Sequence, residues 1–197
     1  MTPTAEAASD YRERKRLAVQ SDISDVAMRL FEEHGFDGTT IEQIAAEVGL
    51  SSRSVFRYFA SKEDVVLGHL ARAGLELHER LVARPLSESP WVALRAAFDA
   101  SLAQFDDNPE SLRRQSRMMQ QTPSLRARHL EKQLRWQQLL VPNIAERLGV
   151  DDGDAGAHAL VASALACLDA ATTAWAAADD DRPVREVLDA AIAVVRS

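Results

Sequence analysis

Between residues 39 and 62 the apolar positions fall into two short helical phases separated by a glycine. Ile41, Ile44, Ala45 and Val48 stand at i, i+3, i+4 and i+7, one face of a helix that Thr40 can cap and Gly49 can end. Ser51 or Ser52 can cap a second helix, in which Val55, Phe56 and Phe59 are apolar while Ser52, Arg53 and Arg57 project elsewhere. Two short helices about a tight turn are the layout of a helix-turn-helix, which predicts that the second one reads a DNA groove.

The rest of the chain is patterned almost entirely for helices. Upstream, Ile23, Val26, Ala27, Leu30 and Phe31 make an apolar stripe on a helix expected from about Asp10 to His34 and closed by Gly35. Downstream, Ser61 caps a fourth helix with Glu63 and Asp64 in its first turn, running to about Ala83. Pro85 and Pro90 bracket a polar connector, and Ser89 or Pro90 starts a helix through Trp91, Leu94, Ala97, Phe98, Leu102 and Phe105. Further helices are expected at about Glu110–Gln121, Ser124–Leu148, Ala155–Ala178 and Val184–Val195, with Pro142 kinking the second of these or breaking its hydrogen-bond ladder near residues 138–142. No run alternates with period two between turn signals, so the predicted class is all-α with about nine helices. No Gly-, Ser- or Pro-rich linker separates independent domains. The expected organisation is a flexible tail over 1–9, a helix-turn-helix DNA-binding lobe over 10–60 and a ligand-binding and dimerisation lobe over 61–197.

The same segment resembles the signature of the tetracycline-repressor (TetR) family of bacterial regulators. It carries Gly35, Phe36, Thr39, Thr40, Ile44, Ala45, Gly49, Leu50, Ser51, Phe56, Tyr58, Phe59 and Lys62 in the family's order. Two positions depart: Phe56 stands where the family usually has tyrosine, and Tyr58 where it usually has histidine. Phe56 lacks a hydroxyl for a phosphate, a contact that Tyr58 can supply from two positions along. The resemblance implies a transcriptional regulator, most often a repressor, that binds a palindromic double-stranded DNA operator as a homodimer and is released by a small, often hydrophobic effector. The expected DNA contacts are Thr39, Thr40, Ser51, Ser52, Arg53, Ser54, Phe56, Arg57, Tyr58 and Lys62. Ser52, Arg53 and Arg57 are the groove readers among them, since arginine reads guanine O6 and N7 bidentately. Thr39, Thr40, Tyr58 and Lys62 suit phosphates.

Charge alters this picture before it supports it. The net charge is −7, and residues 1–65 alone carry eight basic and twelve acidic side chains, about −4, whereas phosphate contacts usually give a basic domain. The basic residues are clustered, however, as Arg12, Arg14, Lys15 and Arg16 and as Arg53, Arg57 and Lys62. The first cluster either reaches the DNA backbone or is a solvated helix start. The acidic balance also keeps open an all-α interaction protein of the same fold without operator binding.

With 197 residues, 46% hydrophobic and 27% charged, the chain can bury a substantial core, and its one cysteine, Cys167, allows no internal disulfide. Residues 1–17 lack the apolar core of a signal peptide, so a cytoplasmic location is expected. The alanine-rich stretch 155–178 carries His158, Asp169, Thr172 and Thr173. An aspartate near a bilayer centre costs roughly 2.5–3.5 kcal/mol, so the stretch reads as a buried helix and no membrane partner is expected. That helix and the last one, about 155–178 and 184–195, are the expected homodimer interface, where small residues allow close approach.

Trp91, Phe98, Phe105, Met118, Met119, Trp136, Leu139, Cys167 and Trp175 are candidates to line an effector pocket, although such residues at helical spacing are core material in any bundle. His34, His69, His78, His129 and His158 are scattered, with no HExxH or ExxH, no GxSxG and no phosphate-cradling glycine loop. No enzymatic activity, metal or cofactor is expected.

Overall fold

In a computed structural model the described residues are 5–178 and 181–197, without the side chains of 5–14, 69, 71, 100 and 104. They form nine α-helices and no strand. The fold divides into two compact units, Met1–Gly68 and His69–Ser197, so the division falls inside the fourth helix rather than at the expected 60/61 boundary.

The first unit is built from α1 (Ala5–His34), α2 (Ile41–Val48), α3 (Ser52–Tyr58) and the start of α4 (Lys62–Val82). Helix α1 begins five residues before the expected Asp10, so residues 5–9 of the expected tail are helical; residues 1–4 of that tail lie outside the described residues. The apolar stripe packs as its period requires: Ile23, Ala27, Leu30 and Phe31 are buried against Phe36, Ile41, Ile44, Ala45, Val55 and Phe59. Thr40 and Gln43 close a reciprocal capping box at the start of α2, 3.2 Å and 2.7 Å. Gly49 ends the helix at φ +74°, a left-handed conformation that costs a residue with a Cβ about 1–2 kcal/mol.

The second unit holds the rest of α4 with α5 (Pro90–Asp107), α6 (Pro109–Gln121), α7 (Pro123–Leu148), α8 (Ala155–Ala177) and α9 (Val184–Arg196). Helix α8 is its centre, packing against α5, α6, α7 and α9. By length and composition α8 is the one helix among the described residues that qualifies to cross a membrane, but Val161, Ala164, Leu165, Ala171 and Trp175 face the bundle core. Arg113 and Arg117 of α6 cover its C-terminal end, donating to the carbonyls of Trp175, Ala176 and Ala178 at 2.6–2.7 Å.

Pro142 neither breaks α7 nor ends it: the helix runs from Pro123 to Leu148 through it. The proline removes the N–H that would bond the carbonyl of residue 138. Pro142 and Gln138 both lie on the exposed side, where a freed acceptor costs least.

Helices α4 and α7 meet at Gly74. The Trp136 indole lies across that glycine and donates Nε1–H to the Leu70 carbonyl at 2.9 Å, and a methyl at position 74 would overlap the ring. Alanine is the better helix former by about 0.8–1.0 kcal/mol, yet Gly74→Ala is expected to be destabilising by about 1–2 kcal/mol net, because overpacking outweighs propensity. A lowered midpoint in urea unfolding checks it.

Candidate nucleic-acid interface

Helix α3 is held so that its two sides have different fates. Ser51 rather than Ser52 caps it, its Oγ accepting from Ser54 N at 3.2 Å and lying 3.0 Å from the Ser54 hydroxyl. Val55 is buried, and Phe59, the residue after the helix, is buried too. At the other end Gln20 of α1 donates to the Tyr58 carbonyl at 3.1 Å, which meets one of the acceptors a helix leaves open there.

Arg53 and Arg57, one turn apart, are exposed on the outer side. Among the described residues no carboxylate pairs with either. By contrast, Arg29 bonds Glu47 at 2.7 Å, which ties α1 to α2, and lies 3.7 Å from Glu33 of its own helix; the two carboxylates raise the pKa of its guanidinium. Arg57 instead lies 5.4 Å from the Tyr58 ring centroid, a cation–π contact that leaves its N–H groups free of a competing acid. Two unneutralised guanidiniums on a protein of net charge −7 give α3 a local field opposite to that of the whole chain.

Phe56 does not join Val55 and Phe59 in the core. It is 52% exposed, next to Arg57, and so belongs to the same outer side, where an apolar ring can lie against thymine methyl groups. Thr40 is exposed with its hydroxyl hydrogen still available after capping, Ser52 and Ser54 are half-buried, and Tyr58 is half-buried.

Two expected phosphate contacts are corrected. Thr39 is only 1% exposed, and its hydroxyl is 3.1 Å from the Leu30 carbonyl and 2.9 Å from the Gly35 carbonyl, closing the turn after α1. It faces the core, so it holds α1 to α2 rather than meeting DNA. The Lys62 ammonium donates to the carbonyls of Phe36 at 2.7 Å and Thr39 at 2.9 Å and lies 4.3 Å from the Phe36 ring centroid. Two of its three donors are therefore spent on anchoring the first turn of α4 to the α1–α2 loop. Lys62→Met is expected to lower stability by about 1.5–3 kcal/mol, the range for hydrogen bonds to a charged group. Denaturant unfolding alongside DNA binding checks it: a full-stability variant with selectively lost binding would restore the phosphate role.

Of the basic cluster on α1, Lys15 and Arg16 are exposed, whereas the side chains of Arg12 and Arg14 lie outside the described residues.

The nine candidate pocket residues differ in burial. Phe98, Trp136, Cys167 and Trp175 are core, and burial pushes the Cys167 thiol up, away from the reactive thiolate. Phe105 packs edge-on against Trp175 at 5.2 Å, and Arg113 covers that indole at 4.3 Å. Met118, Met119 and Leu139 are half-buried. Trp91 instead lines an open groove of about 490 Å³ between α5 and α9, with Arg95, Asp99, Asp189 and Ile192. Arg95 is neutralised there by Asp189 and Asp99, which raise its pKa further. Sequence reasoning missed the residues that fasten the lobes internally, Gln20, Arg113, Arg117 and Arg147, because their partners are distant carbonyls that leave no local pattern.

Comparison with known proteins agrees with this geometry. Residues 23–68 match the model of bacterial regulatory proteins of the tetR family, and residues 88–197 match the MftR C-terminal domain. The HTH-type transcriptional regulator TcmR of Streptomyces glaucescens is 34% identical over 73% of this chain and 66% of its own length. MftR of Mycobacterium tuberculosis (strain ATCC 25618 / H37Rv), assigned to mycofactocin biosynthesis regulation, is 32% identical over 69% of each. The matched region thus spans about two thirds of these relatives. Among solved structures, Thermus thermophilus FadR, a TetR-family transcriptional repressor in complex with lauroyl-CoA, superposes with a TM-score of 0.57 at 24% identity, covering 90% of this chain and 93% of that one. With an N-terminal helix-turn-helix, a C-terminal helical bundle and both family models matched in order, the chain belongs to the TetR family of DNA-binding transcriptional regulators.

Proposed function

We propose that the protein is a cytoplasmic repressor that binds a palindromic operator as a homodimer and is released by a small, largely apolar effector held in the second unit. The observation that carries the reading is the outer side of α3, where Arg53, Phe56 and Arg57 are exposed together and neither guanidinium has a carboxylate partner among the described residues. Ser52 and Arg53 take base edges, Arg57 a base or phosphate, and Thr40, Ser51, Ser54 and Tyr58 the flanking backbone.

A seven-residue helix reads few base pairs, so two copies related by a two-fold axis are needed to specify an operator. Helices α8 and α9 suit that pairing. Ala159, Ala162, Ala166, Ala170 and Ala174 are all exposed along one side of α8, and Val194 of α9 is 75% exposed, an apolar surface that a second copy would cover. The recognition helices would then enter successive major grooves about 34–36 Å apart, or at a related spacing.

The effector acts by preferring one spacing over the other, and α4 is the element that carries the preference, since one continuous helix holds both Lys62 and Gly74. FadR, a protein of this fold, is solved with lauroyl-CoA, which supports an acyl or similarly apolar effector class for this lobe. A coupling of about 1–3 kcal/mol makes a working switch. Mobility shift on an operator selected from random duplexes, titrated with candidate effectors, tests the reading: a bound palindrome released five- to 150-fold by an effector supports it. Failure to enrich any duplex contradicts it.

A further inference from the structure

We propose that His129 is the polar contact for the effector, and that the effector is an otherwise apolar molecule carrying a hydroxyl group; this rests on the ligand-responsive reading above. His129 lies on the inner stripe of α7, between buried Leu125 and the buried Lys132, Trp136 and Leu140. One edge of its ring is occupied: Nε2 is 3.0 Å from Asp169 Oδ1 of α8. An ionised carboxylate only accepts, so Nε2 carries a hydrogen and donates it to Asp169. The opposite nitrogen, Nδ1, is buried and has no hydrogen-bond partner.

Other polar groups of α6, α7 and α8 are already matched. Gln120 of α6 donates to Thr173 Oγ1 at 2.8 Å, the Thr172 hydroxyl turns back to the Leu168 and Asp169 carbonyls of its own helix, and Lys132 has an interaction of its own. Among the described residues of α6, α7 and α8, Nδ1 of His129 is the one buried side-chain polar atom left without a partner. Folded proteins rarely leave such an atom unmet, so each one calls for an explanation, and a hydroxyl brought by the effector supplies it here.

The chemistry of that atom selects a hydroxyl. In the neutral ring Nδ1 is a lone pair and needs a donor; in the charged ring it is an N–H and needs an acceptor. A hydroxyl answers both, an ether answers only the second, and a hydrocarbon answers neither. A carboxylate would have to shed its water among Leu125, Trp136 and Leu140, which disfavours it. Asp169 is then a positioning residue, fixing which nitrogen faces the ligand.

The test uses the full chain with three probes of nearly equal apolar body: 4-nonylphenol, its methyl ether 4-nonylanisole, and nonylbenzene. Calorimetry is expected to give the phenol about tenfold tighter binding than the ether, the worth of one hydrogen bond to a buried group. His129→Phe is expected to erase that preference while nonylbenzene binding persists. The ¹⁵N resonance of His129 Nδ1 in the wild-type protein should move with phenol and not with nonylbenzene, and Asp169→Asn should redistribute the tautomer that the same resonance reports. Equal binding of the three probes, binding of none, or a phenol preference that survives His129→Phe overturns the proposal. If His129→Phe does not fold, an unmoved Nδ1 resonance in the wild type overturns it alone. These readouts need no DNA, so a failure of operator binding would sink the repressor reading without bearing on His129.

Discussion

Replacing Arg53 and Arg57 together by alanine is expected to lower operator affinity by about 10³-fold or more while leaving the folded state intact. A base contact from arginine is worth roughly 1–3 kcal/mol, and in a two-fold dimer each substitution removes it twice. Two such residues therefore contribute about 4 kcal/mol at the low end, and every 1.4 kcal/mol is tenfold. The fold does not depend on them, because both are exposed and the packing side of this turn is Val55 and Phe59. Their loss should change unfolding free energy by no more than about 0.5 kcal/mol. The single variants separate the roles. A base reader loses affinity at one operator position, whereas a phosphate contact loses it uniformly and lowers the slope of log K against log salt by about 0.9 per contact. Anisotropy titrations on single-base operator variants at two salt concentrations distinguish the two.

The largest effect on stability is expected at Arg147. From the last turn of α7 its Nη1 donates to the Pro85 carbonyl at 2.6 Å, its Nη2 to the carbonyls of Leu81 and Arg84 at 3.0 Å each, and its Nε to Asn143 Oδ1 at 2.9 Å. Those carbonyls end α4 and begin the connector to α5, where a helix terminus leaves acceptors without intrahelical donors. One planar guanidinium thus reaches three carbonyls, two of which also accept from a backbone N–H, and fixes α7 against the end of α4. Arg147→Ala takes the fork away from the Leu81 and Pro85 carbonyls, which keep only the backbone N–H groups of Arg84 and Glu88, and removes the donor to the Arg84 carbonyl; it should cost about 3 kcal/mol, which for a chain of this size lowers the thermal midpoint by about 6–12 °C. Arg147→Lys keeps the charge but not the fork and should recover only part of the loss. Calorimetric midpoints of the three proteins check this, and equal midpoints would remove Arg147 from the account.

What could be read from the sequence was what short range determines. Thr40, Gly49, Ser51 and Ser61 announce helix ends because capping involves residues three or four apart, and Ser61 does accept from Asp64 N at 3.1 Å. The pairing of apolar faces in the first unit followed from the same periodicity. What escaped was direction and reach. Nothing local tells Thr39, one residue before a cap, to turn inward to carbonyls four and nine residues back, or Lys62 to reach across 23 and 26 residues to two others. Phe56 is apolar like Val55 yet stands among the expected DNA contacts, and only the angle at which α3 meets α1 and α2 decides that it faces out. The early start of α1 was hidden because residues 5–9, AEAAS, favour helix by propensity without an apolar stripe to mark a packed face. Pocket residues were the least legible, since Phe98, Trp136 and Trp175 look the same in sequence whether they fill a core or line a cavity.

Reading of DNA by the exposed side of α3, despite the acidity of the chain, is open to a direct test. Selection of bound fragments from random duplexes, run in parallel with wild-type protein and the Arg53→Ala, Arg57→Ala double variant at matched salt, tests it most directly. The wild type is expected to enrich a palindrome with half-sites one helical turn or a related spacing apart, and the equally folded double variant to enrich nothing. Enrichment of the same palindrome by both proteins, or of none by the wild type, would contradict it.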